Sequence, residues 1–490
     1  MMSTQVLKKQ SNKAPQRHSH WRICALALIL SACAPMAPIS LGVSAIDPQQ
    51  LHLPSGARLT IASNWWEDFQ NKDLSTLIQN ALEHNPSIAL ANTRIEKAQA
   101  LAGLTRSASL AQMGAGLEVD RQRFSQTGIY PPQLGLSMQT LTTLQLSGAW
   151  IPDVFGKHKA AYESAIGQVH ASALDALHAK SQLSAQIVLQ FIALALSMEE
   201  IDLLQERSKL IESLKQLMSE RIKAGLDSTL ELKTLEIENN DLRIQSAQIN
   251  NQIDMFRHSL AALSAREPSA LSSLSPRLRD LHAMTIQTDF GIDLLGRRAD
   301  VVAAKTRVLA SIKNVDVAKL DFYPNLSLGF FAGYNTLKIS QLTENSSAQY
   351  GVLPSLSLPI FDGGRLNAQL SAKTAEKDQA VAIYNNTLLE ALKEASDALS
   401  SYKASSLELQ FTQNSLALAT EKLDIQTLKT KAGLGNQTTV LREKMAQLQQ
   451  QRALLQWSAK QRSSAVLLLK SLGAGWPQNE IHNNVYAQKP

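Results

Sequence analysis

The chain has almost no cysteine, long stretches without proline, few aromatics and no long apolar run. Its two cysteines, Cys24 and Cys33, lie near the N-terminus. The body therefore has no disulfide framework and no cysteine-based metal site. Aromatics are 5% of 490 residues, which suits long helices better than a compact aromatic core. No proline falls between Pro152 and Pro268, or between Pro359 and Pro477. Each gap leaves room for an unbroken helical hairpin. No window offers the ~20 apolar residues of a membrane-spanning helix. The nearest, 185–197, is interrupted by Gln186 and Gln190 and reads as a buried helix face. His-Glu-x-x-His, Walker and Gly-x-Ser-x-Gly signatures are all missing. No catalytic residue, cofactor or metal is expected.

The net charge of +6 is concentrated at one end: Lys8, Lys9, Lys13, Arg17 and Arg22 precede residue 33 with no acid among them. The basic balance belongs to a targeting segment, and no nucleic-acid partner is expected. Residues 23–30 are apolar, follow that basic region and are too short to span a bilayer. With Ser31 and Ala32 they read as the end of a signal peptide, 1–32. Leu30-Ser31-Ala32-Cys33 resembles a bacterial lipobox. That resemblance implies acylation of Cys33, palmitate included, and a lipid-anchored segment at 33–72. Ala34 in place of Asp implies sorting to the Gram-negative outer membrane. The alternative is an ordinary cut after Val43-Ser44-Ala45, with Cys33 discarded.

The body carries a repeat. Lys223-Ala224-Gly225-Leu226 returns as Lys431-Ala432-Gly433-Leu434, and Gly156-Lys157 as Gly364-Arg365, both 208 residues on. Thr93-Arg94 matches Thr306-Arg307 slightly out of step. Three anchors in one order indicate a duplicated unit, with repeat 1 at 73–270, a linker at 271–292, repeat 2 at 293–477 and a tail at 478–490. Each unit begins with a helix. In the first, Leu74, Leu77, Ile78, Ala81 and Leu82 follow Asp73, a candidate cap; in the second, the helix runs from about 300 to 320. Two strands follow, at 113–119 and 144–150 and again at 326–334 and 352–360, each alternating with period two. The strand-to-helix transitions fall at Pro152 and Gly156, and at Pro359, Gly363 and Gly364. Long hairpins close each unit, turning at Gly225 and at Gly433 and Gly435, where glycine ends a helix in the left-handed conformation. Ser228-Thr229-Leu230-Glu231 reads as a capping box restarting the first hairpin, and Asn436 as the cap restarting the second.

Four strands alone would leave unpaired edges in hydrocarbon, at several kcal/mol per group. Twelve strands from three chains would close. The passage 351–366, containing Leu358-Pro359-Ile360-Phe361-Asp362-Gly363-Gly364-Arg365-Leu366, resembles the second strand-to-helix passage of TolC-like outer membrane factors, most closely the NodT-type lipoprotein branch. Trp150-Ile151-Pro152-Asp153-Val154-Phe155-Gly156-Lys157 is similar to the first passage. Asp293-Leu294-Leu295-Gly296-Arg297-Arg298-Ala299-Asp300 resembles the opening of the second half, with Ala299 where proline is usual. Leu472-Gly473-Ala474-Gly475-Trp476 resembles the C-terminal signature. The resemblance implies a mostly α fold with a transmembrane β part: a trimeric α-barrel tunnel beneath a 12-stranded β-barrel. The implied partners are two more copies, outer-membrane lipid, a periplasmic membrane-fusion adaptor and an inner-membrane RND pump.

The implied function is the outer channel of a tripartite efflux system for drugs and other small toxic compounds. Type I protein secretion is the nearest alternative, and a pore-free periplasmic coiled coil the alternative of another class. The resemblance also puts the closed tip at the hairpin turns, with Arg221, Asp227, Arg442 and Glu443 as gate candidates. The family has an acid where this chain has Arg442. The departure leaves three readings: a basic constriction, an Arg442 ion pair with an acid such as Glu443 or Asp227, or a solvated arginine on a helix face. Trp65, Trp66 and Phe69 are expected to pack against the body, and Trp150, Tyr334 and Tyr350 to form an interfacial girdle, with core packing as the alternative for Trp150, which borders the helices.

Overall fold

The computed structural model describes residues 36, 42–47, 62–127, 131, 135–286 and 298–475. The signal, Cys33, most of the anchoring segment, residues 293–297 and the tail lie outside the described residues. In chain order the elements are α1 Lys72–His84, α2 Pro86–Ser107, β1 Gln112–Arg123, β2 Met138–Trp150, α3 Lys157–Lys223, α4 Thr229–Leu263, α5 Ala299–Leu320, β3 Asn325–Thr336, β4 Ala348–Ser357, α6 Arg365–Lys431 and α7 Gln437–Ser471. Helices α3 and α6 have 67 residues each, α4 and α7 35 each, and α2 and α5 22 each. At ~1.5 Å per residue the longest pair measure about 100 Å. Among the described residues, no helix is long and apolar enough to cross a membrane.

The chain divides into two compact units. The first, 1–42 with 101–165 and 311–378, holds all four strands. They pair antiparallel in the order β1-β2-β3-β4, and among the described residues one edge of β1 and one of β4 have no partner strand. The expected strand at 352–360 lies earlier, at 348–357. Pro359 has no N–H to extend the ladder, and the following turn redirects the chain.

Both transitions are built alike. Gly156 has φ +83°, and Gly363 and Gly364 have φ +66° and +88°, values open to glycine without the Cβ clash. Asp153 accepts from the backbone N–H groups of His158 and Lys159 at 3.1 and 2.8 Å. Asp362 accepts from those of Gly364 and Leu366 at 3.0 and 2.7 Å. Each carboxylate thus satisfies orphan donors at the start of a long helix. These donors hold Asp362 below the usual carboxylate range.

The second unit, 43–100 with 166–310 and 379–490, carries the larger core. Trp65, Trp66 and Phe69 are buried there as expected, the two indoles edge to face at 6.0 Å. They join Leu74, Leu77, Ile78 and Ala81 of α1 with Ile187, Val188, Phe191 and Ile192 of α3. The run at 185–197 is therefore core, and each large side chain buried there contributes about 1.5–3 kcal/mol. The α1 cap is Asn71, not Asp73: its Oδ1 accepts from Leu74 N–H at 2.9 Å. An N-cap accepts from the N–H two or three residues on, and Asp73 already lies inside the helix. Asn85 then caps α2 through Ser87 N–H at 2.8 Å, with Pro86 at the first helical position. The segment after α4 is held by side chains reaching its carbonyls. Arg257 donates to Leu274 at 2.9 Å, Arg462 to Leu281 at 2.9 Å and Tyr402 to Met284 at 3.4 Å.

Candidate functional site

Both long hairpins turn in the same way. Leu226 N–H donates to Arg221 O at 2.9 Å and Gly225 N–H to Ile222 O at 2.9 Å. Leu434 N–H donates to Lys429 O at 2.9 Å and Gly433 N–H to Thr430 O at 3.1 Å. This double bond pattern closes a helix around a left-handed residue, and Gly225 and Gly433 have φ +73° and +76°. Gly435 has another role: a Cβ there would stand 2.8 Å from Thr430 Oγ1, so it permits close return of the chain. Leu226 and Leu434 project from the turns with 65% and 80% exposure. Asn436 caps α7, accepting from Thr439 N–H at 2.8 Å.

The expected capping box at Ser228 does not form. Ser228 precedes the helix in extended geometry, but its hydroxyl makes no capping bond. Glu231 is turned elsewhere: it pairs with Arg442 of α7, and a guanidinium is the stronger partner for a carboxylate than one backbone N–H. Arg442 thus meets neither Glu443 nor Asp227. Asp227 pairs with Arg221 across the first turn, which raises the Arg221 pKa. Glu443 pairs with Lys422 of α6 at 2.9 Å. Two pairs therefore lie within hairpins, and Arg442–Glu231 joins one hairpin to the other. Beside it is an open groove of about 590 Å³, lined by Leu230, Glu231, Thr234, Arg442 and Met445 among others.

Sequence reasoning passed over a second polar station on α3. Glu200 is 7% exposed and accepts from Arg452 Nε at 2.9 Å and Gln456 Nε2 at 2.6 Å. Arg452 also reaches Gln245 of α4 at 3.3 Å. One acid so ties α3 to α7, and through Arg452 to α4. It has no distinct signal in the sequence, because Glu199, Asp202 and Glu206 stand beside it on the same helix.

Two of the sequence passages described above meet in the second unit. Arg298, 6% exposed, donates to Asp300 Oδ2 and Glu394 Oε2, each at 2.8 Å, and its backbone packs against Gly473. Ser181 Oγ donates to Ala474 O at 2.7 Å. Burial raises Asp300, but the Arg298 hydrogen bonds and charge, aided by His178, outweigh it and hold the carboxyl below its ordinary value.

In the sheet, register decides which residues share a face. Met113, Ala115 and Leu117 of β1 stand beside Gly148, Leu146 and Leu144 of β2. These continue to Phe330, Ala332 and Tyr334 of β3, and to Val352, Tyr350 and Ala348 of β4. Trp150, Leu328, Leu326 and Leu356 belong to the same face. It is apolar across all four strands, and Met113, Leu117, Val352 and Leu356 are each more than 60% exposed. Trp150, Tyr334 and Tyr350 all lie on it, and Trp150 Nε1 donates to Ser109 O at 3.2 Å. The opposite face carries Gly114, Gly116, Glu118, Gln145, Ser147, Asn335 and Gln349, with Leu141, Phe331 and Leu353 as apolar exceptions. Asn335 donates there to Thr143 at 2.8 Å, and Gln349 to Gln145 at 3.3 Å.

The chain pairs a sheet that has one exposed apolar face with helices of about 100 Å that turn back through left-handed glycines, features in keeping with a membrane-channel protein. The family model "Outer membrane efflux protein" matches residues 77–266 and 292–474. The fusaric acid resistance protein FusA of Burkholderia cepacia is 32% identical over 72% of this chain and 68% of its own. The multidrug resistance outer membrane protein MdtP of Escherichia coli O157:H7 is 26% identical over 91% and 94%. The solved outer membrane protein VceC of Vibrio cholerae superposes with a TM-score of 0.78 at 26% identity, over 85% of this chain and all of that one. The chain belongs to the outer membrane efflux protein family, a family of channel-forming proteins of the Gram-negative outer membrane rather than enzymes.

Proposed function

We propose that three copies close into one export conduit: twelve strands form the outer-membrane barrel, and the paired long helices form a periplasmic tunnel. One observation carries this reading. The register puts an apolar, exposed face across all four strands and, among the described residues, leaves the outer edges of β1 and β4 unpaired. In hydrocarbon such edges must be paired, and neighbouring copies supply the missing strands. The equal lengths of α2 and α5, α3 and α6, and α4 and α7 support two tandem repeats, 73–270 and 293–477. The conduit would be completed by a periplasmic adaptor and an inner-membrane RND pump, which supplies the energy. Its cargo would be small toxic molecules, in line with the names of FusA and MdtP, and acylated Cys33 would add an anchor. The test is native mass after extraction of outer membranes in mild detergent. Three chains plus attached lipid are expected. A folded monomer that stays soluble without detergent would sink the barrel.

We place the closed end of the tunnel at the hairpin turns, with Arg442–Glu231 as a clasp between the two hairpins. Exposed pairs of this kind contribute about 0–1 kcal/mol, so the clasp biases the tip rather than locking it. Arg442→Glu sets two acids face to face. Conductance of the reconstituted channel should rise about two- to fivefold at low salt, and the gain should shrink at high salt as charges are screened. The exchanged pair Glu231→Arg with Arg442→Glu should restore the parental conductance. Equal conductance in all three proteins would remove the clasp.

A further inference from the structure

Strand β1 sorts charge as well as hydrophobicity. It ends Glu118-Val119-Asp120-Arg121-Gln122-Arg123. Successive side chains point to opposite faces, so Glu118, Asp120 and Gln122 belong to the polar face. Val119, Arg121 and Arg123 continue the apolar face beyond Leu117. The β2 residues beside the arginines are Thr140 and Met138, so no acid neighbours them there. Both arginines are exposed, and neither makes an ion pair among the described residues.

Their height along the strand matters. From Met113 to Val119 the apolar face runs about 20 Å along the strand at ~3.3 Å per residue, or about 15 Å of height at the ~40° tilt of a barrel strand, and Trp150, Leu328 and Leu326 extend it beyond Met113 toward the ~25 Å apolar band of a membrane barrel. The arginines begin where that band ends. They stand at the end of β1 remote from α2 and next to the β1–β2 connection, which is the outer side in the barrel reading. Two guanidinium groups on one face, with Cα atoms about 7 Å apart, can converge on one phosphorylated headgroup. Planar forks suit phosphate oxygens. The carboxylates that could neutralise them point the other way.

We propose that Arg121 and Arg123 form, on each chain, a site for the phosphates of an anionic outer-leaflet glycolipid of the lipid A class. The inference rests on the barrel reading above. It makes the outer rim of the lipid face a place where the trimer grips its own membrane.

The test compares wild-type trimer, the R121Q/R123Q variant and an E118Q/D120N control, each purified in mild detergent and freed of lipid. Diphosphorylated lipid A and its dephosphorylated form are titrated in, and native mass spectrometry counts bound lipids. Wild type should bind the diphosphorylated lipid, up to one per chain, and R121Q/R123Q about thirtyfold more weakly. The dephosphorylated lipid should bind both proteins at the weaker level. E118Q/D120N should bind like wild type, because its changes lie on the opposite face. Equal binding by wild-type and R121Q/R123Q trimers, or equal binding of the two lipids by wild type, overturns the proposal. A wild type that never forms trimers overturns the barrel reading, and the lipid site with it.

Discussion

Arg298→Met should lower the stability of the folded channel by about 3–5 kcal/mol. Arg298 is 6% exposed and serves two carboxylates at once. Glu394 is half exposed and can turn to water. Asp300 is more enclosed, with 21% of its side chain accessible. It would lose its guanidinium partner and keep only the Val301 N–H at 3.0 Å and the His178 ring at 3.9 Å, and that poorly compensated charge is the main cost. The sign of the pH dependence follows. In the parent, Asp300 lies below its ordinary value of 3.8, so its contribution is full above about pH 4 and fades as pH falls through the depressed value. Without Arg298, burial pushes the carboxyl up against only the weaker help of His178 and the Val301 N–H. The variant should therefore lose most at neutral pH, and its deficit should narrow toward pH 4. Unfolding midpoints at one scan rate, read by circular dichroism between pH 4 and 8, check this. A deficit constant with pH would mean that Arg298 acts through packing and not through Asp300. Arg298→Lys, which keeps the charge without the fork, should recover only part of the loss.

Gly333→Val should reduce recovery of assembled channel to a small fraction of the parent. Gly333 of β3 stands opposite Gln145 of β2. A Cβ at that position would come within 2.7 Å of Gln145 Cα and closer still to the Leu144 carbonyl oxygen. Both obstacles are backbone, so no rotamer change relieves them and the strands must separate. Overpacking of this kind costs about 1–3 kcal/mol per site, and it recurs in each copy of a closed barrel. Gly116→Ala tests the specificity of the effect, because a Cβ there meets nothing within 4 Å in the chain. Quantified trimer bands from outer membranes should drop for Gly333→Val and stay near parental for Gly116→Ala. Parental recovery of Gly333→Val would show that β2 and β3 do not approach so closely in the membrane.

The ends of the long helices could be read from the sequence because their causes are local. Proline-free stretches and the glycines at 225 and 433 bounded α3 and α6 to within a residue or two. Strands β1, β2 and β3 showed in period two for the same reason: one face of each is apolar and the other mostly polar. The errors were local too, but finer. Asn71 rather than Asp73 caps α1 because the hydrogen bond spans three residues, and either polar side chain satisfied the pattern. Strand β4 sits a few residues early because Pro359 removes a donor where the apolar alternation still runs on.

Amino-acid order by itself thus determined the periods, breaks and turns: which segments are helical, which are extended, and which residues of a strand share a side. Partner choice was decided only in three dimensions. Arg442 met Glu231 and not Glu443 or Asp227, because facing helices bring together residues far apart in sequence, and each acid goes to the nearest cation. Arg298 found Glu394, 96 residues on, and Gly333 acquired its strict requirement for glycine from the opposite strand. Local geometry follows from a residue's own neighbours along the chain. The energy of a buried charge or a close backbone approach depends on whatever the fold places beside it.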